Sequence, residues 1–187
     1  SNLYNMIRIW KAHAFMVLTD TYGDVPYTEA GQNFLKGISA PVYDSQEAIY
    51  SDILNELEKA SIALDATKPR VTNDVLYAGD ITKWRRLGNS LLLRAAMRLS
   101  KVNPAKASEF VKKAVTGGLM TSNSDNAVLV HNANYANPIG AQLNGGQSAF
   151  FYLSDDFLKY LRANKYTRLA SIAVRYLGAA SGAQQVE

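Results

Sequence analysis

Two aspartates, Asp20 and Asp24, stand on either side of Tyr22 and Gly23 in the stretch LTDTYGDVPYTEA. Closely spaced carboxylates serve in metal binding and in general acid and base work, and a pair of them is also what a glycoside hydrolase needs. The spacing here is not the alternating one of a calcium loop, and no glutamate closes the loop where such a site requires one. The structural reading is favoured: Gly23 caps the preceding helix, and Asp24, Val25 and Pro26 turn the chain away.

Other reactive constellations are thinner. His13 and His131 are the only histidines, one in the first helical stretch and the other far along the chain, so a zinc site would need carboxylates for its remaining ligands. A Ser-His-Asp site drawn with His131 lacks a serine in a GxSxG context. There is no cysteine, which excludes disulfides, thiolate metal sites and a thiol nucleophile. Neither GxxxxGK nor GxGxxG occurs, so nucleotide binding has no support. No metal and no cofactor is expected.

A different chemistry lies between Asn132 and Gln147. Side-chain amides present a donor and an acceptor each, which matches sugar hydroxyls, and Tyr135 supplies an apolar face for a sugar ring. The competing reading is a linker that uses Asn and Gly for their turn-forming habit.

These groups must be positioned by helices. Leu3, Ile7, Trp10, Ala14 and Val17 recur at spacings of four and three and share one helical face, which Met6 and Leu18 widen. A second helix opens at YDSQEAIY, with Asp44 expected as its cap and Glu47 as the partner in a capping box. Its stripe is Ile49, Ile53, Leu57, Ala60 and Leu64, and Lys68, Pro69 and Arg70 end it. A third helix is expected over Ile81 to Lys101 behind an Asp80 cap, and it should be the most buried. Asn103 and Pro104 start a fourth, with Phe110, Val111, Ala114 and Val115 toward the core and Gly117 and Gly118 as its stop. The short turn makes these last two helices antiparallel. An Asn- and Gly-rich stretch follows, with an extended piece expected at Ala127 to His131. A last helix begins behind Ser154, with Phe157, Leu158 and Leu161 on its apolar side. The tail from Leu177 is small and polar and is expected to fray.

Lys83, Arg85, Arg86, Arg94, Arg98 and Lys101 all fall on the third helix, with Arg94, Arg98 and Lys101 in one stripe. Acids on a neighbouring helix, such as Glu56 and Glu58, are the expected partners, and nucleic acid is not. The formal charge of +4 arises from 20 basic and 16 acidic residues mixed along the chain, with no run that would track phosphates. A hydrophobic fraction of 48% in 187 residues is that of a globular protein with a sizeable core. No apolar run reaches the roughly 20 residues of a membrane span. The helical rhythm already running at Leu3 implies a longer parent chain.

The order of these segments resembles the SusD/RagB family of outer-membrane nutrient-binding lipoproteins. AFMVLTDTYGDVPYTEA is similar to the family's helix followed by a Tyr-Gly-Asp-x-Pro turn, here Tyr22, Gly23, Asp24 and Pro26. YDSQEAIYSDILNELEKASIAL is similar to its Tyr-Asp-x-Gln-Glu helix, here Tyr43, Asp44, Gln46 and Glu47. GDITKWRRLGNSLLLRAAMRLSKVNPAKA resembles its Lys-Trp-x-(Lys/Arg) helix, here Lys83, Trp84 and Arg86. Three motifs in order over roughly residues 1–120 are far more specific than one. FFYLSDDFLKYLRANKYTRLA resembles the helix before the family's Asp-Pro-Arg-Leu element, although Tyr166 and Thr167 replace Asp and Pro ahead of Arg168 and Leu169.

The resemblance implies an all-α, mostly helical protein of tetratricopeptide-like antiparallel helix pairs with long irregular loops. Residues 1–187 are expected to form a single SusD-like helical domain of a longer chain, with core helices at 1–120, a loop at 121–150 and a C-terminal helix and tail at 151–187. It further implies a non-enzymatic protein on the outward face of the outer membrane, held by a lipid anchor that this chain does not contain. Such a protein binds a glycan, oligosaccharide or other nutrient for delivery to a SusC-like TonB-dependent transporter. Binding sites in the family share no motif, so the site is assigned from loop chemistry to Tyr135, Asn132, Asn134, Asn137, Asn144 and Gln147. Trp84 is assigned to the core. The rival reading is a cytosolic tetratricopeptide-like scaffold that binds peptides or protein partners.

Overall fold

The computed structural model describes residues 1–140 and 153–172. They carry helices α1 (Asn2–Tyr22), α2 (Asn33–Lys36), α3 (Gln46–Ile62), α4 (Ile81–Arg98), α5 (Pro104–Gly117), α6 (Asp155–Ala163) and α7 (Leu169–Ile172), with a 3-10 turn at Asn123–Asp125. Among the described residues there is no β-strand, and the architecture is the expected all-α, tetratricopeptide-like one. The chain divides into two units, Ser1–Leu129 and Val130–Glu187.

In the first unit α3 lies at the centre and packs against α1, α4 and α5. Its stripe is buried as its spacing predicts: Ile49, Ile53, Leu57, Ala60 and Leu64 have almost no exposed surface. Helix α4 buries the largest share, including Ile81, Trp84, Leu87, Leu91, Leu92, Ala95 and Ala96. Close approach of three helices is set by Gly88. A Cβ added there would meet the Ser61 hydroxyl of α3 at 2.0 Å and Ile9 Cδ1 of α1 at 3.1 Å. Helices α4 and α5 form the antiparallel pair, joined through Asn103, whose side chain accepts from the Lys106 amide ahead of Pro104 in the first turn.

On helix α1 the apolar face read from spacing is mostly turned outward, and of its members only Met6 enters the core. Asn2, Asn5, Met6, Ile9, Ala12, Met16 and Thr19 are buried, whereas Leu3, Ile7, Trp10 and Val17 are 47–56% exposed. The reason is polar. Asn2 Nδ2 donates to the Asp65 carbonyl at 2.8 Å, its Oδ1 accepts from the Asp65 amide at 3.0 Å, and Asn5 Nδ2 donates to the Ala63 carbonyl at 3.1 Å. The two amides thereby satisfy backbone groups just past the end of α3 that would otherwise be orphaned. Arg8 adds a two-pronged pair to Glu56, at 2.7 and 2.8 Å.

Other expectations are refined. Asp80 and Ser154 cap α4 and α6 as expected, accepting from Lys83 and Phe157. Ser45, rather than Asp44, caps α3, accepting from Ala48. On α5, Phe110 and Ala114 are buried but Val115 is 57% exposed. Residues 127–131 form no strand. Trp84 is a core residue, and its indole donates to Asp74 Oδ2 at 2.6 Å. Asp74 also accepts from the Gly79 and Leu76 amides. Burial alone would raise its pKa, but these donors together hold it below the ordinary value.

Candidate functional site

The Tyr-Gly-Asp-x-Pro turn is bolted to the start of α3. Gly23 takes a left-handed φ of 76° and its amide donates to the Thr19 carbonyl at 2.8 Å. Gln46 Nε2 donates to that same carbonyl at 2.7 Å, and Asp24 Oδ1 accepts from the Gln46 amide at 2.9 Å. Val25 and Asp44 exchange backbone hydrogen bonds, while Asp44 Oδ2 accepts from the Tyr27 and Thr28 amides at 2.9 and 2.8 Å. Those donors hold the Asp44 carboxyl below its ordinary pKa. Asp44 is thus the clasp of the incoming loop, which is why it does not cap α3.

The two carboxylates of the motif have separate partners. Asp20 accepts from the Tyr50 hydroxyl at 2.5 Å and pairs with Arg98 at 3.0 Å, whereas Asp24 serves the first amide of α3. Burial and the Asp20 contact push the Tyr50 phenol well up. Both carboxylates are thus engaged by neighbours within the fold. Among the described residues no cluster of His, Asp and Glu has the makings of a metal site. His13 and His131 belong to different units.

Beside this junction is an open cleft of about 540 Å³, where the end of α1, the starts of α3 and α5 and the end of α4 meet. Asp20, Gln46, Tyr50, Arg98, Asn103 and Lys106 face it. Within its wall Arg98 pairs with Asp20, and Lys106 Nζ donates to the neutral Ser51 Oγ at 2.7 Å. The expected acids Glu56 and Glu58 pair with Arg8 and Lys113 instead. No sequence signal marks this cleft, because its lining comes from four helix ends.

In the second unit Asn132 and Tyr135 close a tight turn, each amide donating to the other's carbonyl at 3.1 Å. Asn132 Oδ1 accepts from the Asn134 and Tyr135 amides at 2.9 and 3.0 Å, and Asn137 Oδ1 accepts from the Ile139 and Gly140 amides at 3.0 and 3.1 Å. These carbonyl oxygens therefore shape the backbone. Asn134 is exposed at the tip. What the turn presents is a ring pair: His131 and Tyr135 stack with centroids 5.3 Å apart and planes 9° from parallel, and Tyr135 is 56% exposed. His131 was not among the residues singled out for binding, and its spacing of four from Tyr135 across the Asn132 turn is the signal that would have found it. Asn144 and Gln147 lie outside the described residues.

Comparison with known proteins matches what these elements suggest. Residues 1–185 fit the SusD-like family profile described as starch-binding and associating with the outer membrane. A chitin-binding protein of known structure is 36% identical, with a TM-score of 0.80, and the match covers 90% of this chain and 36% of that one. A chitin-binding SusD homolog from Flavobacterium johnsoniae is 31% identical over 90% of this chain and 36% of its own, with a TM-score of 0.78. A SusD homolog from Bacteroides uniformis is 33% identical, covering 78% of this chain and 30% of that one, with a TM-score of 0.69. No curated protein sequence gives a significant match. The chain spans about a third of the length of these solved relatives. With the turn, the α3 opening and the Lys-Trp helix all in place and the profile matching end to end, the chain belongs to the SusD-like family.

Proposed function

We propose that this chain is part of a surface glycan-binding protein of the outer membrane, non-enzymatic, lipid-anchored through a segment outside these residues, and serving a SusC-like TonB-dependent transporter. Family membership supports the class, and the chitin-binding relatives support a polysaccharide or oligosaccharide ligand. The single observation that carries the local assignment is the exposed His131–Tyr135 stack. Stacking on His131 fixes the exposed Tyr135 ring, whose apolar face suits the C–H face of a pyranose and needs no metal or cofactor. Asn132, Asn134 and Asn137 add side-chain amides for hydroxyl groups in the same turn, and the assignment extends to Asn144 and Gln147, which lie outside the described residues. Binding is noncovalent, and no nucleic acid is involved.

Native affinity electrophoresis through gels containing soluble starch or glycol chitin tests this. The parent chain should be retarded in at least one gel, and Tyr135→Ala should migrate more nearly as in a blank gel while keeping its melting curve. Equal retardation of parent and variant would remove the loop assignment. Free migration of the parent in every glycan gel would remove the glycan reading for this chain.

A further inference from the structure

The ring pair of the Asn132 turn has an edge as well as a face. Centroids 5.3 Å apart with planes only 9° from parallel describe an offset stack. Rings in contact stand about 3.5–4 Å apart, so His131 and Tyr135 are slid sideways by about 3.5–4 Å. The result is a step: part of the Tyr135 face on the His131 side is uncovered, and the imidazole rises beside it. His131 Nδ1 lies 3.1 Å from the Tyr135 carbonyl oxygen. A carbonyl only accepts, so the proton of the neutral imidazole sits on Nδ1, and Nε2 carries a bare lone pair in the ring plane. His131 is exposed, and no described residue donates to Nε2. From Asn126 to Leu153 the sequence contains no Asp, Glu, Lys or Arg. A turn in so uncharged a stretch has nothing to hold an anionic sugar, and what it offers is an acceptor.

We propose that His131 Nε2 is a ligand contact, accepting a hydrogen bond from a neutral sugar ring seated on the open part of Tyr135. The inference rests on the glycan reading of this turn and adds the atom that orients the sugar. Tyr135 alone takes any sugar with an apolar C–H face, whereas an acceptor level with that sugar selects the ring positions that bring a donor to it. The donor is a ring hydroxyl or the N–H of a 2-acetamido group. These differ in one respect: when the imidazole gains a proton a hydroxyl reverses and accepts, and an amide N–H cannot.

The test compares the full-length protein with His131→Phe, His131→Ala and Tyr135→Ala, by co-sedimentation with insoluble starch and with chitin. Phe keeps a ring against Tyr135 and removes the acceptor, while Ala removes both. The turn keeps its shape in either variant, because the Asn132 and Tyr135 backbone amides and the two bonds to Asn132 Oδ1 do not involve the imidazole. At about pH 8 both His131 variants should bind several-fold more weakly than the parent, and equally so. Lowering the pH to about 5 protonates an imidazole. A several-fold fall in parent binding there, absent from His131→Phe, assigns the donor to an acetamido N–H, and parent binding that persists assigns it to a hydroxyl. His131→Phe binding as tightly as the parent would overturn the proposal, since stacking alone would then suffice. If Tyr135→Ala is still weakened in that case, the glycan reading stands without it. A parent that sediments with neither glycan overturns both.

Discussion

Gly88→Ala is the most discriminating stability experiment, because two opposed effects meet at one atom. In a helix interior alanine is favoured over glycine by about 1 kcal/mol. Here, however, the new methyl would stand 2.0 Å from Ser61 Oγ, 3.3 Å from Ser61 Cβ and 3.1 Å from Ile9 Cδ1. Ser61 is wholly buried, so its hydroxyl has no solvent to swing into. Overpacking of this kind costs about 1–3 kcal/mol, and a contact so far inside van der Waals range belongs at the upper end. The expected net loss is about 1–2 kcal/mol. The Ser61 hydroxyl also has no hydrogen-bond partner. Ser61→Ala should therefore be neutral or stabilising by about 1 kcal/mol, since it removes a buried donor that is not satisfied. In the Ser61→Ala background only the 3.3 and 3.1 Å contacts remain, and Gly88→Ala should become nearly neutral. A double-mutant cycle by urea unfolding, followed by circular dichroism, should thus show a coupling of about 1–2 kcal/mol. If Gly88→Ala stabilises the parent on its own, or if the two substitutions are additive, the three-helix contact at this glycine is not what sets the spacing.

Trp84→Ala should lose about 3–5 kcal/mol by thermal or urea unfolding, through the cavity it leaves and the Asp74 acceptor it strands, with no loss of glycan retention. Glu56→Gln should lose about 1–2 kcal/mol at neutral pH, since it removes the charged partner of Arg8. The Arg8 hydrogen bonds hold the folded-state pKa of Glu56 below its ordinary value. That contribution is therefore complete above the unfolded carboxylate range and disappears as pH falls through the folded value. The gap between parent and variant should narrow as pH falls below the ordinary glutamate value of about 4.3 and close only beneath the lower folded value, and a constant gap across an acid series would contradict the pairing.

Much of the framework was readable from local chemistry. Asp80, Asn103 and Ser154 cap their helices because capping needs only a short polar side chain beside the first free amides. The α3 stripe was readable because that helix is surrounded, so period and burial coincide. Helix α1 was not, and the cause is specific: the buried positions include Asn2 and Asn5, whose value depends on carbonyls past the end of α3, some sixty residues away in sequence. Periodicity counts apolar residues and gives no weight to two buried amides. Asp44 likewise reads as a cap from its position in sequence, because the loop amides that claim it lie upstream. At the candidate site Tyr135 was legible as an exposed aromatic in a polar loop, whereas its stacking on His131 required the turn to be folded. The roles of Asn132 and Asn137 as turn formers agree with the plainer reading of an Asn-rich stretch.

The attachments between α1 and α3 lie at both ends of the pair. At one end Gln46 and Thr19 are joined, and at the other Asn2 and Asn5 hold Asp65 and Ala63. The helices therefore run antiparallel, and sliding either by a single turn would break both sets of bonds together, with nothing gained halfway. The pair is a strut of fixed length, pinned at one end beside the Tyr-Gly-Asp-x-Pro turn and its cleft and at the other by the two amides.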